Sequence, residues 1–333
     1  MDNNQDNQLS KEFKLTELKY KALGPLLCDI FEKILTESNI KYLSIYNRVK
    51  TEESFTDKIE RKGYTNPLNE IEDILGIRII CFFQKDIKFI SNKLIDELTI
   101  HESTTKEEKL DSNQFGYRSH HLIASISPEW KSNPSFRDLC NLKFEIQIRT
   151  ILMHAWAEIE HSLNYKSELD IPKQFKRKLF RISAKLEEAD EQFEELKLSI
   201  QSYQQEIRLE IQKRDKDIHS DHSEFDEELN LNSLQAFLDA KYPNRKKSNS
   251  STATLLEELN QYSITFQSLI ESNDALKENI PKIEFVLTGN KELQLSQTGI
   301  ARSLLNLSFP HYLNRSSNLK KVNRYKKIKD ELI

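Results

Sequence analysis

From Phe144 to Arg149 apolar and polar side chains alternate without a break, with Phe144, Ile146 and Ile148 interleaved with Glu145, Gln147 and Arg149. A period of two is the mark of a β-strand, whose successive side chains point to opposite faces of a sheet. The chain must therefore fold around a sheet that buries one face and presents an acid, an amide and a guanidinium together on the other. A second segment, 76–83, is almost unbroken apolar and reads as a strand buried on both faces. Arg78 interrupts it. An arginine so placed is rarely buried without a partner, so it is either half of a structural salt bridge or a cation facing a nucleotide at the sheet edge.

Around these strands the pattern alternates. Residues 11–36 carry Leu15, Leu18, Leu23, Leu26, Leu27, Ile30, Phe31 and Ile34 at helical spacing, interrupted by Gly24 and Pro25, which predicts one or two helices. A strand is expected over 42–49, a short polar helix over 54–62, an amphipathic helix over 86–98 and strands over 119–126 and 142–148. The stretch 99–115 reads as a weak strand and a polar loop. Strands alternating with helices give an α/β sheet. Beyond Ile148 the chain turns helical over 150–165, and Pro172 opens a long helix. In it Phe175, Leu179, Ile182, Leu186, Ala189, Phe193, Leu196, Ile200, Tyr203 and Ile207 are spaced alternately by four and three, a heptad seam. That seam either packs along its own domain or pairs with a second copy in a homo-oligomer. The expected division is N-terminal helices over 1–39, an α/β domain with its long C-terminal helix over 40–214, an acidic linker over 215–228, and a mainly α-helical accessory or regulatory region over 229–333.

A chain of 333 residues can build one or two domains with a real core. It contains no apolar run of about 18 residues or more and opens on a polar segment, so no membrane partner is expected and the cytoplasm is the default location. Cys28, Cys81 and Cys140 are too widely spaced for a thiolate metal site and read as reduced structural thiols. The formal net charge of −4 argues against bulk adhesion to nucleic acid, so any anion site must be local.

Phosphoryl and pyrophosphoryl transfer need carboxylates to hold a divalent cation and a group of Arg and Lys to hold the anionic chain. The first half of the chain carries both. In RVKTEESFTDKIERKG, Arg48 and Lys50 leave a strand end, while Ser54 and Lys58 share one face of the next helix. Such a cluster serves a phosphate site or an ordinary solvated face. In EIEDILGIRII, Asp73 precedes the buried strand and Gly76 is read as permitting a close turn. If the strands carrying Asp73 and Glu145 are neighbours, the two acids can share one Mg2+. Between them FGYRSHH places Tyr117 after Gly116, either as a platform for a stacked base or as a packed turn residue.

The blocks RVKTEESFTDK, EDILGIR, FGYRSHH, FEIQIRT and HAWAEIEHSLNYK, in this order over about 40–210, resemble the synthetase domain of the RelA/SpoT family, which makes the alarmones ppGpp and pppGpp. The resemblance implies a mixed β-sheet, nucleotidyltransferase-like domain flanked by helices. It implies that Arg48, Lys50, Ser54 and Lys58 hold the ATP phosphates, that Arg78 stacks on or flanks adenine, and that Asp73 binds Mg2+. Tyr117 and Arg118 would meet the acceptor, with Gln147 and Arg149 supporting it and its phosphates. Glu145 would complete the metal site or draw the proton from the acceptor hydroxyl. His154 and His161 are expected to be helix-packing or capping residues.

The implied reaction carries the β,γ-diphosphate of ATP to the 3′-hydroxyl of GDP or GTP and releases AMP. Two departures stand out. Asp111 to Phe115 precede the GYRS block where members using a free guanine nucleotide often have a Lys, and Lys109 is the nearest here; no His-Asp dipeptide occurs, so the family's hydrolase domain is expected to be absent. An alternative acceptor is the 3′ end of tRNA or an adenine nucleotide, as in toxin-type relatives, with the C-terminal region as a built-in regulator. The basic tail of Lys320, Lys321, Arg324, Lys326, Lys327 and Lys329 either touches RNA or is a solvated helix end. A nucleotide-binding regulator without activity is the third reading, and the acids and the basic set speak against it.

Overall fold

The computed structural model describes residues 3–105, 119–162, 173–216, 227–290, 292–315 and 317–332. The chain divides into two compact units, Met1–Leu196 and Lys197–Ile333. The first is built on the strands that the alternation predicts: β1 (Tyr42–Val49), β2 (Leu75–Cys81), β3 (Leu98–Thr105), β4 (His120–Ile126) and β5 (Phe144–Thr150). They form one mixed sheet in the order β1-β2-β5-β4-β3, in which β2 and β5 run parallel and the other neighbours antiparallel.

Register then assigns the faces. Ile45, Ile79, Ile148 and His120 share one face, as do Asn47, Ile77, Ile146 and Leu122. The long first helix α1 (Asn3–Glu37) and α4 (Gln84–Glu97) supply the core partners of this side, with Phe13, Leu23, Leu27, Phe31, Ile90 and Leu94 buried together with the strand isoleucines. The opposite face carries the polar residues, and α5 (Ile151–Ser162), which follows β5 directly, reaches it through His154 and Glu158. Two further helices, α2 (Glu52–Lys62) and α3 (Pro67–Glu70), fill the β1–β2 connection.

The structure settles one reading of glycine in favour of a single helix and corrects another. The Gly24–Pro25 interruption does not break the N-terminal helix, because α1 runs through it as one element. The glycine is there for close approach: a Cβ at Gly24 would lie 2.5 Å from Asn47 Oδ1 on β1. Gly76 makes no turn either. It lies inside β2 between Arg48 and Glu145, and a Cβ there would meet only ordinary contact, 3.9 Å from the Arg48 carbonyl oxygen.

The long helix α6 (Lys173–Lys216) divides its heptad seam. In the first unit Phe175, Ile182, Phe193 and Leu196 are exposed, while Ser183, Asp190 and Glu194 on another side of the helix are buried. Asp190 accepts a hydrogen bond from Thr150 at the end of β5, and Glu194 accepts one from the Lys85 backbone N–H, so polar contacts hold this half of the helix. Its second half is different. Ile207 and Ile211 are buried in the core of the second unit, with Tyr203 packed against it.

That second unit is helical: α7 (Leu231–Lys241), α8 (Asn249–Gln261), α9 (Phe266–Leu276), α10 (Ile280–Thr288), α11 (Gln297–Ser308), α12 (Pro310–Leu313) and α13 (Leu319–Leu332). Helix α11 is its central post, buried along most of its length. Gln297 donates to the carbonyls of Leu238 and Tyr242, and Arg302 and Arg315 both pair with Glu258. No helix among the described residues is long and apolar enough to cross a membrane.

Gly24→Ala would favour an isolated helix by about 0.5–1 kcal/mol, yet crowding against Asn47 should cost about 1–3 kcal/mol. Urea unfolding is expected to show net destabilisation of Gly24→Ala, relieved in Gly24→Ala/Asn47→Ala; a more stable single variant would contradict the packing account.

Candidate active site

One row of paired residues on the polar face runs Arg48, Gly76, Glu145, Ile123, and the next runs Tyr46, Arg78, Gln147, His121. The sheet itself thus collects Arg48, Arg78, Glu145 and Gln147, and Arg149 follows on the same face. Asp73 enters β2 at the end where Glu145 begins β5, three positions before Gly76.

Asp73 is held by two lysines. Lys58 Nζ lies 2.9 Å from Oδ1 and Lys50 Nζ 3.4 Å from Oδ2. Lys50 is fixed as the chain leaves β1 by its backbone N–H, which donates to the Ile74 carbonyl at 2.8 Å. Lys58 projects from α2, whose buried Phe55 and Ile59 seat the helix and whose N-cap is Thr51. Ser54 takes part in that cap: its N–H donates to Thr51 Oγ1 and its hydroxyl accepts from it. Tyr20 of α1 lies close by, and burial together with the Asp73 charge pushes its phenol up to about 12.

Glu145 is held differently. His121 Nδ1 lies 2.6 Å from Oε1, and Gln147 Nε2 donates to Oε2 at 2.6 Å. The chain of contacts extends both ways, from His121 Nε2 to Ser119 Oγ at 2.5 Å and from Arg149 Nη2 to Gln147 Oε1 at 2.8 Å. Burial and the neighbouring Arg78 lower the pKa of Arg149, but an arginine keeps its charge. Asp73 and Glu145 therefore lie at one end of neighbouring strands, each on its own set of nitrogen partners.

Arg78 resolves the choice left open by the strand pattern in an unexpected way. It is ion-paired, its Nη1 lying 2.6 Å from Glu158 Oε1 and donating to Tyr46 Oη at 3.4 Å, and it also stands on the polar face. Its Cζ is 5.9 Å from the centre of the Tyr46 ring. Burial works against the cation, but Tyr46 and Glu158 leave its pKa raised. His154, expected to be a packing residue, stands against Tyr46, with Nε2 3.5 Å from the phenol oxygen. Burial depresses its pKa, Glu158 opposes that shift, and Arg78 and Arg149 add to it.

Arg48 is exposed at the edge of this group. Tyr117 and Arg118 lie outside the described residues. Tyr46, His121 and Glu158 were not singled out by sequence reasoning. A signal existed for each of them: Tyr46 is two residues before Arg48 on the same strand, His121 belongs to the FGYRSHH block and Glu158 to HAWAEIEHSLNYK.

The metal donors on offer are hard carboxylate oxygens. No group of three or more His, Cys, Asp and Glu that could hold an ion occurs among the described residues. That set fits Mg2+, which commonly takes one or two carboxylates and completes its shell with substrate phosphates and water.

A model of the region found in RelA / SpoT proteins matches residues 47–170. The GTP pyrophosphokinase YjbM of Bacillus subtilis is 34% identical over 191 residues, covering 56% of this chain and 85% of that protein. The chain belongs to the RelA/SpoT family. A second relative, the GTP pyrophosphokinase YwaC of Bacillus subtilis, is 39% identical over 132 residues, covering 38% of this chain and 60% of its own length. Among solved structures, the small alarmone synthetase 1 from Bacillus subtilis aligns with 57% of this chain and 98% of its own, at 28% identity and a TM-score of 0.49. The matched family region contains the Lys50–Lys58–Asp73 group, Arg78 with Glu158, and the His121–Glu145–Gln147–Arg149 chain.

The surroundings of His154 predict a neutral imidazole at pH 7. In NMR titration its midpoint should fall below 6.5, and Glu158→Gln should lower it further, since the lost carboxylate favours the cation. A midpoint above 6.5, or an upward shift in the variant, would contradict this arrangement.

Proposed function

We propose that the chain transfers the β,γ-diphosphate of ATP to the 3′-hydroxyl of GDP or GTP, forming (p)ppGpp and releasing AMP, with Mg2+ as cofactor. The observation that carries this reading is a lysine-held Asp73 in the turn just before β2 and Glu145 near the start of the adjacent parallel strand β5, inside a region that matches the RelA/SpoT family.

Each group has a distinct task. Lys50 and Lys58, with Arg48 and the Ser54 turn at the start of α2, bind the triphosphate. Arg78, oriented by Tyr46 and Glu158, offers its flat guanidinium to adenine. Asp73 and Glu145 would hold the metal, which when bound supplies positive charge for the phosphate oxygens. The acceptor oxygen attacks the β-phosphorus, the bond from that phosphorus to the α-phosphate oxygen breaks, and AMP leaves. Glu145 takes the hydroxyl proton, its two oxygens steadied by His121 and Gln147. Gln147 and Arg149 support the acceptor side. Most of the rate gain comes from position and fixed charge.

One observation favours a second acceptor, the 3′ end of tRNA. Helix α13 turns Val322, Tyr325 and Ile328 into its unit's core and leaves Lys320, Lys321, Arg324, Lys326, Lys327 and Lys329 exposed. Such a basic face suits a phosphate backbone.

The test is transfer of label from γ-labelled ATP with Mg2+ to GDP, GTP, ATP or deacylated tRNA. Label on GDP or GTP is expected, with at least about a 10²-fold loss in Asp73→Asn and in Glu145→Gln. Label on tRNA alone would replace the acceptor, and no transfer to any of the four would refute the reading.

A further inference from the structure

The carboxylate oxygens assigned to the metal already face protein nitrogens, those of Glu145 at hydrogen-bond distance and those of Asp73 as ion pairs that leave its buried Oδ1 without a hydrogen bond. Asp73 has Lys58 on one oxygen and Lys50 on the other; Glu145 has His121 and Gln147. The Asp73 group matters most. One negative charge sits within ion-pair distance of two positive ones, and the side chains of Asp73, Lys50 and Lys58 keep only 28%, 20% and 19% of their exposure. Such a partly buried cluster has a net positive charge and is weakly screened.

That charge has opposite consequences for the two species that must enter. A free divalent cation is repelled by the lysines and would have to compete with them for Asp73. A polyphosphate is attracted by the same lysines. As its oxygens draw Lys50 and Lys58 away, they release the carboxylate to an ion that the phosphates themselves carry. Lys58 is well placed for this exchange, since it reaches Asp73 from α2, an element separate from the turn before β2 that bears the acid.

We propose that Lys50 and Lys58 form a charge latch on Asp73, so that the site takes a divalent ion only as its chelate with a nucleoside triphosphate and rejects the free ion. The inference rests on the reading of this site as the ATP site. It makes metal and nucleotide binding strongly and reciprocally coupled, since whatever the nucleotide does for the ion, the ion does for the nucleotide.

Mn2+ serves as the probe, with free ion counted by electron paramagnetic resonance in the presence of the full-length chain, alone or with α,β-methylene-ATP, and the ion chelated by the analogue itself subtracted from a protein-free control. Wild type should bind Mn2+ at least about tenfold more weakly without the analogue than with it. Lys58→Gln should gain nucleotide-independent Mn2+ affinity, and adding Asp73→Asn should abolish the gain; circular dichroism checks that each variant is folded. Equal Mn2+ affinity in wild type with and without the analogue would overturn the latch while leaving the ATP reading intact. Unchanged affinity in folded Lys58→Gln would also overturn it. Failure of the analogue to bind under any condition would overturn both.

Discussion

The parallel pairing of β2 with β5 is the constraint on which the site depends. It sets Gly76 beside Glu145 and Arg78 beside Gln147, and it brings Asp73 and Glu145 to the same end of adjacent strands. A slip of one residue would turn Arg78 into the core and Ile77 toward solvent, because side chains alternate from face to face. The isoleucines that bury one side against α1 and α4 therefore hold the cations and acids of the other in register. Packing on one face positions chemistry on the opposite face.

The sheet and most of its polar face were legible in the sequence. Glu145, Gln147 and Arg149 followed from strict alternation, and the five strands fall close to where the patterns place them. Strand order was not legible, because which strands pair depends on contacts distant along the chain. Partners were equally hidden: nothing near Glu145 announces His121, and nothing near Arg78 announces Glu158 on a helix that follows another strand. Gly24 and Pro25 carried the usual punctuation of a helix end, but the decisive fact was the nearness of Asn47. The heptad seam fixed the helix and left its partner open; in α6 the buried side of the first half is polar, and only the second half buries seam residues in a core.

The electrostatics are local. A chain of net charge −4 collects Lys50, Lys58, Arg48, Arg78 and Arg149 around one half-buried face, a local concentration of cations that would favour an anion there without general adhesion. The same cations are restrained when no ligand is bound. Asp73 occupies two of them and Glu158 a third, which keeps the unliganded face from carrying unpaired buried charge. Ligand phosphates would take over partners that already exist.

The central claim, that the two acids serve one cation, is tested most directly by anomalous scattering from Mn2+ in crystals grown with α,β-methylene-ATP. The account predicts one peak at about 2.1 Å from an oxygen of Asp73 and an oxygen of Glu145 alike, with phosphate oxygens completing the shell. A metal held by phosphates while Asp73 stays on its lysines and Glu145 on His121 and Gln147 would contradict it.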